Sequence, residues 1–220
     1  MEIMTTPYGR FNYIELSQPN DKGKRTAVLM LPKNLEAMAG LIDSGLPKDI
    51  AETNVKDVEK FRTDLAAMIK EDGKHPKFNA KVKLFKDGDA YADQVAENWK
   101  DDEENAGKEP PAWLDATRNY WMMNAKTGFD LDFYGPRKSE GKRDDTWADS
   151  EIYNGSWGRF PVKPNDYNVD GNKGYTLYIS FWVQKWADDE KLGGDGGSSG
   201  GGPDDAVEFV PKASANDYID

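Results

Sequence analysis

Residues 9–31 read GRFNYIEL, SQPNDKGK and RTAVLML, two hydrophobic runs around a segment of turn residues. Aromatic and aliphatic residues in short runs favour β-strands, and Pro, Asn, Asp and Gly between two such runs are typical of a hairpin turn. Pro32 follows the second run and lacks the N–H that a continuing strand would use. The start of the chain therefore predicts an antiparallel hairpin.

Helices and then further strands are predicted after this hairpin. A short helix is expected from Asn34 to Gly45, and a longer one from about Asn54 to Asp72. The longer one has an apolar stripe with helical spacing, formed by Val58, Phe61, Leu65, Met68 and Ile69. A polar segment, 90–116, interrupts the predicted strands at residues 78–85, 118–127, 129–134, 156–163 and 175–186. The class indicated is mainly β with a helical insertion.

The C-terminal end differs in composition from the rest of the chain. Residues 193–203 read GGDGGSSGGGP, which predicts a flexible linker with a span of roughly 20 Å. Residues 191–220 hold six acidic and two basic residues, which accounts for four of the eleven net negative charges. We therefore expect a folded domain over residues 1–192, a linker over 193–203, and a disordered acidic tail over 204–220.

The composition of the chain excludes several classes of functional site. The chain has no cysteine and one histidine, His75, so thiolate metal sites, cysteine nucleophiles and disulfides are excluded. No phosphate-binding glycine motif precedes a helix, and we predict no cofactor and no metal. The first residues lack the pattern of a signal peptide and no run of 18 apolar residues occurs, so a cytoplasmic location without membrane contact is expected.

Two carboxylate pairs could suggest a hydrolase. Asp87 and Asp89 flank a glycine, and Asp130 and Asp132 are two apart in a predicted strand, so each pair could share one face. Turn chemistry explains the first pair, and a solvated strand face opposite Phe129 explains the second. We therefore expect a binding protein and not an enzyme, with a carboxylate-dependent sugar hydrolase as a weaker alternative.

Several predicted strands place aromatic and cationic side chains on one face. Strand alternation along residues 118–126 places Tyr120 on the same face as Arg118 and Lys126. In the same way, Trp157 shares a strand face with Arg159 and Lys163. Proteins that bind single strands need this mixture, because cations meet phosphates while bases stack on rings. The alternative is that these rings cover another part of the protein. The candidate contact residues are Arg10, Tyr13, Arg118, Tyr120, Asn124, Lys126, Trp157, Arg159, Lys163, Tyr178 and Trp182. On the last strand, Leu177, Ile179, Phe181 and Val183 are expected in the core.

Three segments resemble a known family in order and spacing. They are YNGSWGR at residues 153–159, NKGY at 172–175, and VQK at 183–185. Weaker similarities are Gly9-Arg10 with Tyr13, Pro32, the turn at 87–89, and the run MNA at 123–125. With its Gly-rich acidic end, the chain resembles the OB-fold single-stranded DNA-binding proteins of phages.

The resemblance implies an OB-fold-like five-stranded Greek-key barrel that binds single-stranded DNA without sequence preference in phage replication or recombination. It also implies a tail that competes for the DNA groove or recruits replication or recombination proteins. The tail residues concerned are Asp204, Asp205, Glu208, Phe209, Asp217, Tyr218 and Asp220. The alternative is an OB-like interaction or virion component that does not bind DNA, and a homodimer is left open.

Overall fold

The computed structural model describes residues 1–102, 105, 107–136, 141–169 and 171–192. The linker and tail expected at 193–220 lie outside this range, as do all seven tail residues named above.

The predicted hairpin is confirmed. Strands β2 (Gly9–Glu15) and β3 (Arg25–Pro32) pair antiparallel, with Phe11 opposite Leu29. Strand β5 (Tyr120–Thr127) pairs antiparallel with the other edge of β3 along the full length of both strands. These three strands form one wall of the molecule.

The sheet closes through one bent segment. Strands β8 (Trp157–Arg159) and β9 (Pro161–Val169) are separated only by Phe160, yet β8 pairs with β2 while β9 pairs with β10 (Asn172–Ile179). Strand β10 pairs parallel with β5. The pairing therefore runs in a ring, β2–β3–β5–β10–β9/β8, which is consistent with the expected OB-like fold.

More strands are present than the five expected. In the described residues, a mixed sheet of eleven strands includes five short or peripheral ones besides this ring. Strand β1 (Met4–Thr5) pairs with β9, and β4 (Lys86–Asp87) pairs with β5. The others continue from β8 in the order β11 (Trp182–Ala187), β6 (Asp132–Tyr134) and β7 (Lys142–Arg143).

Helices are about as abundant as strands, so the fold is a mixed sheet with helices and not simply a β domain. Their bounds are Ala39–Asp43 (α1), Lys48–Asp72 (α2), Ala80–Lys83 (α3), Gly88–Asp101 (α4) and Asp145–Glu151 (α5), with 3-10 turns at Glu36–Met38 and Ala112–Thr117. Four residues of the predicted apolar stripe of α2 are buried against the barrel, and Met68 is half-buried at its edge. Within the described range, no helix has the length and apolarity of a membrane span.

Several sequence-based assignments are wrong, among them the single strand predicted at 156–163, which is divided between β8 and β9. The predicted strand at 78–85 instead contains the short helix α3: Ala80, Leu84 and Phe85 are buried while Val82 is exposed, a spacing that fits a helical turn. The Asp87 turn is a helix N-cap, because its carboxylate accepts from the N–H of residues 89 and 90 to begin α4. The run 175–186 is two strands, broken at Ser180 and Phe181.

Two buried clusters lie on opposite sides of the barrel wall. The first fills the barrel and the space under α2, and contains Phe11, Leu29 and Phe160. The second lies on the outer side of β3, β5 and β8, beneath α1 and the 3-10 turn before it, and contains Trp157 and Trp186. Part of the outer barrel surface is therefore itself a core.

Candidate nucleic-acid interface

Three predicted contact residues lie side by side on the uncovered outer face of the barrel. Lys126 on β5 is the register neighbour of Tyr178 on β10, and Tyr178 is opposite Lys163 on β9. The Lys126 Nζ lies 5.9 Å from the Tyr178 ring centroid, within the range of a cation–π contact. We call these three residues the basic row. They place one ring between two cations.

A groove of about 560 Å3 adjoins the basic row. Tyr178 and Lys163 line one part of it, and Ile3, Phe129 and Phe181 line another. Phe129 is 77% exposed and Phe181 is 67% exposed, which is unusual for rings of this size. We call this space the aromatic groove. It offers flat apolar surfaces next to two ammonium groups.

Backbone strain holds one of these rings outward. Phe181 has φ +65°, a left-handed conformation that bulky residues rarely adopt and that costs about 1–3 kcal/mol. The strands on either side fix it, because its carbonyl accepts from the Asp132 N–H at 2.8 Å and the Trp182 N–H donates to the Ser180 carbonyl at 2.8 Å. Phe181 was predicted to be in the core, and that prediction is wrong: the strand break turns its side chain out to solvent.

The two lysines of the basic row have no ion-pair partner among the described residues. In the part of the chain that the structure describes, no carboxylate lies within 4 Å of the Lys126 or Lys163 ammonium. Asp130 borders the aromatic groove but forms an ion pair with Arg25 at 3.0 Å. Asn124 is exposed on the same face of β5, two residues from Lys126. An anionic ligand would therefore meet cations and an amide along this face.

Two of the predicted stacking residues are buried instead. Trp157 is 0% exposed, and its indole N–H donates to Asp189 Oδ2 at 2.8 Å. The Tyr120 ring lies 6.2 Å from it, and its hydroxyl donates to the Ala37 carbonyl. Burial raises the pKa of Tyr120 to about 12. The outward position predicted for both rings is wrong, because α1 and the turn before it cover this face.

The three candidate arginines have partners within the protein. Arg159 is buried, donates from Nε to Gln184 Oε1 at 2.9 Å, and lies 4.6 Å from the Tyr8 ring centroid. Arg10 donates to the Glu190 and Gly155 carbonyls. The Arg10–Glu190 contact holds β2 to the segment that follows β11, and the Arg159–Gln184 contact joins β8 to β11 itself.

Arg118, the third, lies in a turn before β5 and not in the strand as predicted. It forms ion pairs with Asp93 at 2.9 Å and Asp115 at 3.2 Å. The hydrogen bonds and ion pairs with both carboxylates raise its pKa. The geometry does not favour any of the three arginines as a DNA contact.

Tyr13 and Trp182 lie away from the basic row. Tyr13 is 53% exposed on β2, with its ring centroid 6.4 Å from Trp113. Trp182 is half-buried on β11, which pairs with β6 and β8, and it lies outside the aromatic groove. Their contact with DNA stays a prediction.

Both carboxylate pairs are engaged in ion pairs. Asp87 and Asp89 contact Lys33 Nζ at 2.7 and 2.6 Å, and the Lys33 hydrogen bond holds the pKa of Asp89 below its usual range. Asp132 pairs with Lys142. Over the described ranges, no group of three or more His, Asp or Glu side chains could hold a metal ion.

Comparisons with known proteins bear on the fold. No family model matches the chain, and no curated protein matches it. Among solved structures, the single-stranded DNA-binding protein from bacteriophage Enc34 is similar at 17% identity, with a TM-score of 0.53 over 90% of this chain and 87% of that one. A structure of that protein in complex with ssDNA is similar at 19% identity, with a TM-score of 0.50 over 87% of this chain and 89% of that one.

The chain has the fold of these phage single-stranded DNA-binding proteins. The resemblance noted from the segments at 153–185 is thus supported by the three-dimensional structure.

Two rings that line the aromatic groove were missed by the sequence reasoning. Phe129 follows Thr127 and Gly128 at the end of β5, and Phe181 follows Ser180 between β10 and β11. Strand alternation was extended through both positions, although each is in a connection. A large ring directly after Gly or Ser at a strand end was the signal that could have identified them.

Proposed function

We propose that this protein binds single-stranded DNA with little base preference, through the basic row and the aromatic groove. The observation that carries the proposal is Tyr178 between Lys126 and Lys163 on the uncovered face of an OB-like barrel. Stacking of a base on such a ring contributes about 1–3 kcal/mol and tolerates every base, while lysines attract the phosphates. Phe129 and Phe181 would accept neighbouring bases.

The structural neighbours support this proposal. They are described as phage single-stranded DNA-binding proteins, and one is in complex with ssDNA. Because the ion pairs above occupy both carboxylate pairs, the proposed activity is binding and not catalysis. The proposed role is protection of single strands during phage DNA replication or recombination, in the cytoplasm of the host.

The experiment is an anisotropy titration with a labelled oligo-dT and with a blunt duplex of the same length. We expect clear preference for the single strand, and about 5–100-fold weaker binding by Tyr178→Ala, the equivalent of one lost stacking contact. Tyr134→Ala serves as the control, since Tyr134 is a half-buried tyrosine on β6, outside the groove. Equal affinity for duplex and single strands would contradict the function, and equal affinity of both variants would contradict the site.

We further propose that the acidic tail competes with DNA for the basic row and, once displaced, recruits replication or recombination proteins. The linker would hold the tail near the domain at about millimolar effective concentration. A full-length variant with the five acids of 204–220 changed to amides should bind oligo-dT more tightly at low salt than the native chain. The difference should shrink at high salt, because the tail–groove contact is screened. Unchanged affinity at low salt would rule out the competition.

A further inference from the structure

In one segment of this acidic protein, all of the charged residues are lysines. Residues 73–86 read GKHPKFNAKVKLFK, with five lysines and no acid, in a chain of net charge −11. We call residues 74–86 the lysine segment. It joins α2 to β4 and includes α3. Clustered lysines create a local positive potential that attracts polyanions, and this cluster lies against the barrel.

A second groove separates the lysine segment from the barrel. Its volume is about 430 Å3. Lys83 and Lys86 line one wall, and Asn124, Tyr167 and Thr176 line the other. The groove therefore has cations on one side and polar and aromatic groups on the other. We call it the lysine groove.

The lysine groove continues the surface of the proposed interface. Asn124 is two residues from Lys126 on the same face of β5, and Thr176 is two residues from Tyr178 on the same face of β10. Two residues along a strand span about 7 Å, close to the spacing of successive nucleotides in an extended single strand. A strand stacked on Tyr178 would thus pass directly into the lysine groove.

The wall that carries the lysines is fixed to the barrel. The Tyr175 hydroxyl donates to Asp72 Oδ2 at 2.7 Å, and Lys74 forms an ion pair with Asp166 at 2.9 Å. The Phe78 ring lies 5.3 Å from the Tyr175 ring. A Cβ at Gly174 would be 2.7 Å from the Phe78 ring, so glycine is needed for this close contact. The segment is held in place before any DNA binds.

Three lysines of the segment are exposed without a carboxylate within 4 Å among the described residues, and of these Lys83 and Lys86 line the groove while Lys77 does not. Lys74 and Lys81 pair with Asp166 and Glu59. Lys83 and Lys86 are exposed, and among the described side chains no carboxylate lies within 4 Å of either. The Lys86 ammonium lies 3.8 Å from the Tyr91 ring centroid, which orients it without neutralising it.

We propose that Lys83 and Lys86 bind the phosphates of single-stranded DNA that continues from Tyr178, so that the binding path crosses from the aromatic groove to the lysine segment. The inference rests on the proposed function and adds to it a second phosphate-binding wall, built from an insertion between β3 and β5. Because the two grooves adjoin, DNA stacked on Tyr178 would reach this wall within a few nucleotides.

The test compares three full-length variants with the native protein. Lys83→Ala/Lys86→Ala removes both charges, Lys83→Arg/Lys86→Arg keeps them, and Lys48→Ala/Lys56→Ala removes two exposed lysines of α2 as the charge-matched control. Affinity for a dT oligonucleotide of about 20 residues is measured across a salt series.

We expect Lys83→Ala/Lys86→Ala to bind the oligonucleotide about tenfold more weakly at low salt, with the log–log salt slope smaller by about 1.4, since each lost phosphate contact on a single strand contributes about 0.7. The arginine variant and the Lys48→Ala/Lys56→Ala control should both keep the native slope. If the native protein binds DNA and Lys83→Ala/Lys86→Ala shows the same salt slope, this inference alone is overturned. Absence of binding by the native protein would overturn the proposed function and this inference together.

Discussion

Two faces of this protein carry the same mixture of rings and cations. On β8, Trp157 and Arg159 alternate toward one side, and on β10 and β5, Tyr178 lies beside Lys126. The first face is buried beneath α1 and joins a second hydrophobic cluster, while the second is open to solvent next to the aromatic groove. Local pattern does not distinguish them.

The difference comes from what lies above each face. Trp157 gives its N–H to a carboxylate of the segment after β11, and Arg159 gives its Nε–H to Gln184, so each polar group is satisfied inside the protein. Lys126 and Lys163 have no such acceptor among the described residues, and their charges face outward. A ring next to a cation is thus a packing unit in one place and a ligand-binding unit in the other. The following experiments test that contrast.

The largest expected effect is on stability at the covered face. Trp157→Ala should lower the free energy of unfolding by about 3–5 kcal/mol, because it empties the centre of a core cluster. Tyr178→Ala should lower it far less, since its ring is partly solvated. Urea unfolding of both full-length variants measures the difference, and equal losses would contradict the contrast between the two faces.

Replacing one cation on each face, Arg159 or Lys126, should show the same contrast between stability and DNA binding. Arg159→Ala should cost about 1–3 kcal/mol of stability, because Gln184 loses its buried partner, and should leave the salt slope of DNA binding unchanged. Lys126→Ala should have little effect on stability and lower the slope by about 0.7. Unfolding curves and a salt titration of each variant check this, and a reduced slope for Arg159→Ala would place that arginine at the DNA.

A change at the edge of the aromatic groove should move stability and binding in opposite directions. Phe181→Gly removes the strain of a bulky residue at φ +65° and should stabilise the fold by about 1 kcal/mol. The same change removes a ring from the groove and should weaken oligo-dT binding. Thermal melting and titration of one protein sample give both values, and a loss of stability would mean that the ring packs inward.

The smallest expected effect is the pH dependence of the free energy of unfolding that Tyr120 contributes at the covered face. Tyr120→Phe should cost about 1 kcal/mol near neutral pH, because the hydrogen bond to the Ala37 carbonyl is lost. Burial raises the folded-state pKa of Tyr120 from 10.0 to about 12, so the associated stabilisation is complete below pH 10 and is lost as pH rises toward 12. The native protein and the variant should therefore converge in stability across that interval. A constant difference up to pH 12 would show that the hydroxyl is solvated.

Much of the site was predictable because strand alternation is a local property. Lys126, Asn124 and Lys163 were placed on outward faces from residue spacing alone, and the structure agrees. The lysine segment was visible as composition but was assigned to a strand, since a helical turn and a strand are hard to separate over eight residues. Phe129 and Phe181 were missed because alternation was carried across two strand ends.

The chain's own pattern specified the hairpin, the apolar stripe of α2, the charge of the lysine segment, and which side chains share each strand face. These features depend on neighbours within a few residues, through backbone geometry and turn chemistry. Tertiary structure alone decided that α1 covers Trp157, that β8 and β9 bend to close the ring, and that Tyr178 meets Lys126 and Lys163 across three strands. Such outcomes depend on contacts between residues far apart in the chain, whose free energies no local window of sequence contains.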